Sequence, residues 1–416
     1  MDSRRLLNTF LDLVKIDSPS RQEAALAHYC AEVLQACGCA VRFDDTAVQT
    51  GSNTGNLFAV LPARGKKDGP AHAASAVVAG AAPAHAATPA ATDPALLPTT
   101  DPFDSGTPAR ALCFSAHMDC VPPCVGVEPV IENGIIRSGG ETILGGDDKV
   151  GIAAILELVR SLAQSTRSHP QINVIFSVQE ELNLIGAKAM CLDEFAGQFC
   201  YVLDAVGSPG IVINGAPYQH SYEAVYTGLA AHAGVAPEKG ISAIRAAARA
   251  VAALPQGRID NISTANVGTI HGGSKNNIVA EECVVTGECR SHDPDRLAAL
   301  HECIDATLRR ACEPIDGAGP AHVHVEWELT YEGFSLAEDA PEVVLALKSA
   351  RNLGLLAATH ISGGGADTNV FVQAGMKAVS LSSGMDQIHS TSEQLALTDL
   401  EDLARLVIEI AYQFSN

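Results

Sequence analysis

Acidic and imidazole side chains at the ends of apolar runs carry the chemistry legible in this chain. The run Ala111-Leu112-Cys113-Phe114-Ser115-Ala116 has the composition of a buried strand and delivers His117-Met118-Asp119. On an extended backbone, residues two apart point the same way. His117 and Asp119 therefore suit a metal-bound imidazole whose second nitrogen is held by a carboxylate. Taken alone, a loop histidine beside an acid explains the same stretch. A Gly-rich connection then leads to Gly145-Gly146-Asp147-Asp148-Lys149-Val150-Gly151 and an apolar-periodic helix. Further on, Ile172-Asn173-Val174-Ile175-Phe176-Ser177-Val178 leads to Glu180-Glu181, Phe199-Cys200-Tyr201-Val202-Leu203 to Asp204, and Ala378-Val379-Ser380-Leu381 to His389. In an open α/β sheet, ligands gather outside the carboxyl ends of the strands. Strand ends supplying His, Asp, Glu-Glu, Asp and His make a carboxylate-rich site of the type that holds paired hydrolytic metals.

In this order, His117-x-Asp119, Gly146-Asp147-Asp148-Lys149, Glu180-Glu181, Asp204 and His389-Ser390-Thr391, with Glu393 shortly after, resemble the motifs of the M20 family of metallopeptidases, within it the peptidase-T-like branch. The resemblance covers nearly the whole chain apart from about residues 64–108. It implies an α/β fold: a di-metal exopeptidase catalytic domain, with a mixed sheet and helices on both faces, carrying an inserted α+β ferredoxin-like lid. Residues 1–214 and 333–416 would form the catalytic domain, and 215–332 the lid and dimerisation domain. Two divalent ions are implied. Zinc is expected from the mixed N/O ligands, and cobalt or manganese fits the same shell. Asp147 would bridge the ions, with His117 and Asp204 completing one site and Glu181 and His389 the other. Asp119 would steady His117. Glu180 is expected to serve as general base, because neighbouring strand residues diverge and Glu180 cannot easily share a metal with Glu181.

The resemblance also assigns residues outside the ligand set. His232, in Gly228-Leu229-Ala230-Ala231-His232-Ala233-Gly234, is similar to the lid histidine that steadies the tetrahedral oxyanion, in dimeric members often across the subunit boundary. A homodimer through the lid is the corresponding expectation. Arg290, and Asn277 in Gly272-Gly273-Ser274-Lys275-Asn276-Asn277, match positions that hold the substrate's carboxylate and backbone. An Arg fork suits a carboxylate, while a surface ion pair with Asp293 or Asp295 is the plainer alternative. Gly364, within Gly363-Gly364-Gly365, would let a substrate backbone approach closely. No Gly-Lys-Ser/Thr follows that run, so it is not a phosphate loop.

The elements that must position these residues are legible in outline. Leu6, Leu7, Phe10, Leu11 and Val14 share one helical face. Ser20-Arg21-Gln22-Glu23 has the spacing of a capping box starting a second helix toward Cys37. Residues 41–43 and 57–61 read as strands, and 150–163 as a helix. In Leu182-Asn183-Leu184-Ile185-Gly186, the family usually has Gly where Asn183 stands, and Asn tolerates the left-handed backbone such a turn needs. After Asp204 the order is strand 220–227, helix 242–253, strands 263–270 and 279–290, helix 296–312 and strand 322–331, a small sheet with both helices on one face. Helices at 339–353 and 400–414 complete the chain. About residues 64–108 are Ala-, Pro- and Thr-rich with few large apolar side chains and read as a mobile surface insert. His72 and His85 within it read as solvated.

Composition narrows the function classes. At 416 residues the chain is long enough for two cores. A formal net charge of −21 argues against nucleic acid and anionic membrane as partners. No stretch reaches the length of a membrane span, and Met1-Asp2-Ser3-Arg4-Arg5 leads into an amphipathic helix unlike a signal peptide. The 12 cysteines lack disulfide-framework spacing. Cys37-x-Cys39 and Cys120-x-x-x-Cys124 lack second pairs, so they read as small buried hydrophobes in a reducing cytoplasm. The function expected is a di-metal exopeptidase acting on short peptides, most like a tripeptide aminopeptidase. An N-acyl-amino-acid amidohydrolase or carboxypeptidase of the same family stays open, as does a catalytically silent peptide- or metal-binding homologue. A nucleotide enzyme lacks an acceptable fingerprint.

Overall fold

The computed structural model describes residues 1–65, 111–195, 197–314 and 319–415. Apart from Arg64 and Gly65, the insert expected at about 64–108 lies outside the described residues. Four parallel strands form the centre of a large sheet, in the order Gln171–Ser177, Ala111–His117, Phe199–Ala205 and Lys377–Ser382. Antiparallel strands flank them: Leu57–Leu61 and Ala40–Phe43 on one side, Ile211–Ala216 on the other. The sheet is thus mixed, and the carboxyl ends of its parallel strands open on one edge, where such folds place ligands.

Both faces of this sheet are covered, so its strands are apolar throughout. Successive residues of the strand Ala111–His117 go to opposite cores. Leu112, Phe114 and Ala116 join one with Val174, Phe176, Tyr201 and Leu203, whereas Cys113 joins the other with Ile175, Cys200 and Val202. The first core is closed by the helices Gly146–Gln164 and Leu397–Phe414 and by the N-terminal helix Ser3–Val14. Phe114 is fully buried in it, so truncation to Ala should cost about 3–5 kcal/mol. The second core lies under the short helices Ile185–Ala189 and Asp367–Gln373, the latter contributing Phe371. Glu157 is the one acid on the buried side of helix Gly146–Gln164 with a bidentate Arg partner, Arg5 bonding both carboxylate oxygens at 2.8 Å.

Between the strands Ile211–Ala216 and Phe334–Ser335 the chain builds a second, antiparallel sheet. Its order is Gly257–Arg258, Ser263–Gly272, Glu282–Ser291, Tyr218–Thr227, His322–Tyr331. Helices Ala243–Ala253 and Pro294–Arg310 share one core with Tyr222, Ala224, Tyr226, Cys283, Val285 and Cys289, so both lie on the same face. This is the α+β lid of the expected fold class. Among the described residues no helix is long and apolar enough to cross a membrane. All 12 cysteines are free.

The start of the second helix differs from expectation. The helix Ala24–Ala36 forms, but Ser20 and Glu23 do not make its capping box: Glu23 stands at the N-cap with no side-chain capping bond. Both side chains are engaged elsewhere, as described below.

Candidate active site

The site is built on the carboxyl edge of the parallel strands, and each strand contributes differently. His117 ends its strand with the imidazole buried. Its Nδ1 faces Asp119 from two sides, with that residue's backbone oxygen at 2.9 Å and carboxylate Oδ1 at 3.5 Å. Nε2 is thereby left pointing at Asp147 Oδ1, 3.1 Å away, and Asp204 Oδ1, 3.7 Å away. Asp147 belongs to the first turn of helix Gly146–Gln164, yet it and Asp148 have non-helical backbone angles. That departure swings the Asp147 carboxylate across the strand ends. Its other oxygen, Oδ2, lies 3.3 Å from His389 Nε2, which in turn lies 3.0 Å from Glu181 Oε1. Asp147 therefore has one oxygen on the His117–Asp204 side and one on the Glu181–His389 side.

The Glu180-Glu181 pair departs from the sequence expectation. The strand stops at Ser177, and Gln179 takes a left-handed φ of 52°. The two glutamates thus sit in a turn where the alternation of a strand does not apply, and both carboxylates reach His117: ligand atoms of His117, Glu180 and Glu181 lie within 4.8 Å of one another. Asn183 (φ 64°) and Leu184 (φ 61°) continue in left-handed backbone, the conformation for which Asn183 was suited. Asp119 anchors this turn, accepting the backbone N–H of Glu180 at 2.9 Å and of Glu181 at 3.2 Å.

Burial and crowding set the electrostatics. Burial pushes the carboxyls of Glu180, Asp204 and Asp148 well above the usual range, and neighbouring acids add to it. Burial alone would lower His117, but hydrogen bonds with Asp119 and Asp147 raise it well above normal. Hydrogen bonds with Asp147 and Glu181 push His389 up to about 10. Asp147 is held low despite its burial by hydrogen bonds with His117 and His389. Two imidazole nitrogens and a ring of carboxylates thus converge with a shortage of positive charge, a donor set that fits hard or borderline divalent cations.

Arg290, Gly364 and the acids Asp147, Glu180, Glu181 and Asp204 line one cleft of about 650 Å³, a volume in the range of small-molecule sites. Arg290 pairs with Glu288, through Nε at 3.0 Å and Nη2 at 2.8 Å, instead of with Asp293 or Asp295. Nη1 points toward the glycine loop, 3.5 Å from the Gly363 oxygen. Gly365 is required by packing, since a Cβ there would lie 2.3 Å from the Tyr331 ring. Tyr331 Oη also accepts the Gly365 N–H at 3.0 Å. His232 and Asn277 are brought to each other and not to the cleft. The Ala233 N–H donates to the Asn277 oxygen at 3.0 Å, His232 bridges Ile278, and both side chains are exposed.

Sequence reasoning assigned no role to several residues that shape the site. Glu393 is buried and accepts the N–H groups of Gly145 at 2.8 Å and Asp147 at 3.0 Å, fixing the loop that presents Asp147. Its place just after His389 was the available signal. Asp367 is buried, accepts the Ser177 hydroxyl at 2.5 Å, and is pushed by burial up to about 6. Nothing in its Ala366-Asp367-Thr368 context distinguishes it from a helix-start aspartate.

Comparison with known proteins agrees with this architecture. Residues 219–316 match the peptidase dimerisation domain, and residues 101–243 match peptidase family M28. The protein YqjE of Bacillus subtilis is 35% identical over 99% of this chain and 98% of its own. The crystal structure of aminopeptidase PepT from Bacillus cereus is 33% identical, covers 100% of both chains and superposes with a TM-score of 0.78. A tripeptidase from Staphylococcus aureus is likewise 33% identical over 100% of both chains, with a TM-score of 0.81. The chain belongs to the M20 family of metallopeptidases, in its peptidase-T-like branch, and is a hydrolase acting on peptide bonds.

Proposed function

We propose that this protein is a two-metal exopeptidase that removes the N-terminal residue from short peptides, tripeptides foremost, in the cytoplasm. The observation that carries this is the two-sided presentation of Asp147, with Oδ1 toward His117 and Asp204 and Oδ2 toward His389 and Glu181. Similarity over the full length to a PepT aminopeptidase and a tripeptidase supports the substrate class. His117, Asp204 and Asp147 would hold one ion, and Asp147, Glu181 and His389 the other; zinc suits these ligands, as do cobalt and manganese. Such a pair, when bound, acidifies a shared water and polarises the scissile carbonyl.

The chain's own residues do the rest. Asp119 holds the His117 ring and the turn that carries both glutamates. Glu180 takes the proton of the attacking water and delivers it to the leaving amine. Burial raises its carboxyl above the ordinary range, which makes it the stronger proton acceptor. Arg290, one edge held by Glu288, offers Nη1 at the glycine loop to the substrate's carboxylate, and Gly364 lets the peptide backbone lie close. His232 and Asn277 stand off the cleft of their own chain beside exposed Leu229, Val235 and Ile278. A homodimer through the lid would carry them to the second subunit's cleft, where His232 steadies the oxyanion.

The test is a hydrolysis screen with metal-loaded enzyme on free and N-acetylated di- and tripeptides. Release of the N-terminal residue from free tripeptides, with the acetylated ones resistant, is expected. Preferential cleavage of the acetylated peptides would turn the assignment to an N-acyl amidohydrolase.

A further inference from the structure

The turn that carries Glu180 and Glu181 closes through its carbonyls, which accept the N–H groups of Leu184 and Ile185, but has no backbone acceptors among the described residues for its own N–H groups. Each of its consecutive N–H groups instead donates to a side chain from the first half of the chain. Val178 donates to Asn56 Oδ1 at 2.9 Å, Gln179 to Glu23 Oε1 at 3.2 Å, Glu180 to Asp119 Oδ1 at 2.9 Å and Glu181 to Asp119 Oδ2 at 3.2 Å. A buried N–H left without an acceptor is destabilising, so this set of acceptors fixes the turn's path. The left-handed backbone at Gln179, unfavourable for a residue other than glycine, is a further strain that these bonds must hold in place.

Glu23 is the least expected member. It is fully buried, and nothing in its i+3 spacing from Ser20 suggests more than a helix cap. Its Oε1 also accepts the Arg21 N–H at 2.9 Å, and its Oε2 accepts the Ser52 hydroxyl at 2.7 Å, so the carboxylate is locked before it meets Gln179. Ser20 works on the neighbouring acceptor, donating to Asp119 Oδ2 at 2.7 Å. The segment is itself pinned to the His117 motif, since Cys120 N–H donates to the Ser18 oxygen at 2.9 Å.

We propose that Glu23, assisted by Ser20, is a positioning residue for the catalytic base: it sets the backbone of residues 178–181 and through it the placement of the Glu180 carboxylate. The inference rests on Glu180 being the base. A displacement of about 1 Å at such a group can cost on the order of 10²-fold in rate. Glu23→Gln keeps an oxygen for the Gln179 N–H, whereas Glu23→Ala leaves it facing a void.

The experiment compares full-length, metal-loaded E23Q, E23A, S20A and E180Q on a peptide that the wild type cleaves, measuring kcat, KM, metal per chain and melting temperature. E23A is expected to lower kcat by roughly 10–100-fold with KM and metal content near wild type, and E23Q to keep kcat within about threefold. Wild-type kcat in E23A, or equal losses in E23Q and E23A, overturns the proposal. So does a lower melting temperature in both with kcat per metal-loaded chain unchanged, which marks a merely structural role. If E23A does not fold, S20A decides: a loss of about 3–10-fold in kcat at constant KM supports the proposal and an unchanged kcat overturns it. E180Q separates the two levels. Near-normal turnover in E180Q removes the base assignment itself, while an inactive E180Q beside a normal E23A removes only the positioning role.

Discussion

Replacing Asp119 by Asn leaves the shape of the side chain and removes one acceptor. In the folded chain this buried carboxylate accepts the Glu180 and Glu181 N–H groups on different oxygens, and the Ser20 hydroxyl on the second. An amide has one oxygen. With that oxygen toward Glu180, its NH₂ faces the Glu181 N–H; with the amide flipped, the Glu180 donor is the one stranded. The Ser20 hydroxyl can rotate to accept, so a single backbone donor loses its partner, at a cost of about 1–3 kcal/mol. If the turn stays in place, the cost appears as stability, a melting temperature lower by a few degrees. If the turn shifts to relieve it, the same energy appears as roughly 5–150-fold in kcat. The assay is kcat and thermal melting side by side on D119N at matched metal content. Wild-type values for both would refute the assignment of Asp119 as the anchor of the turn.

Glu180→Gln should keep fold and metals while lowering kcat by about 10²–10⁴-fold, measured by single-substrate kinetics on metal-loaded protein. Metal-free protein should lose stability as pH rises from about 6.5 toward 10. His389 is pushed up to about 10 in the folded state by Asp147 and Glu181, so its contribution is complete below its ordinary pKa near 6.5 and vanishes as pH passes the folded value. The raised carboxyls of Glu180 and Asp204 act in the same direction. Thermal melts across this range with and without metal should therefore diverge, the loaded protein being the flatter. His232→Ala should lower kcat with metal content unchanged. If His232 serves the other subunit, mixing it with Glu180→Gln under subunit exchange should restore activity toward about a quarter of wild type, because half the dimers then hold one intact site. No recovery would place His232 with its own chain.

Much of the scaffold was legible because it follows from burial. A sheet covered on both faces demands continuous apolar runs, and the runs ending in His117, Glu180 and Asp204 stood out as strands without any contact information. The lid was legible from its alternation of strand and helix patterns for the same reason. What escaped was set by backbone geometry. Glu180 and Glu181 looked like strand neighbours that diverge, but the strand ends at Ser177 and the left-handed Gln179 turns both toward His117. Ser20 and Glu23 carry a helix-cap spacing, but Ser20 donates to Asp119, 99 residues away, and Glu23 accepts from Gln179, 156 residues away, which local pattern cannot register. Arg290 was expected at the substrate's carboxylate, with an ion pair to Asp293 or Asp295 as the plainer alternative, and neither acid is its partner. It pairs with Glu288 because residues two apart on a strand share a face. Glu393 and Asp367 are acids whose importance lies in what they accept, and acceptance is a property of the folded chain.

Asp147 presents one oxygen to each half of the site, an arrangement suited to joining two ions, and metal stoichiometry decides whether it does so. Elemental analysis of wild type and Asp147→Ala, after loading with zinc and removal of loosely held ions, should give about two ions per chain for the wild type and fewer than one for the variant, with activity lost. Two tightly bound ions and full activity in Asp147→Ala would contradict it.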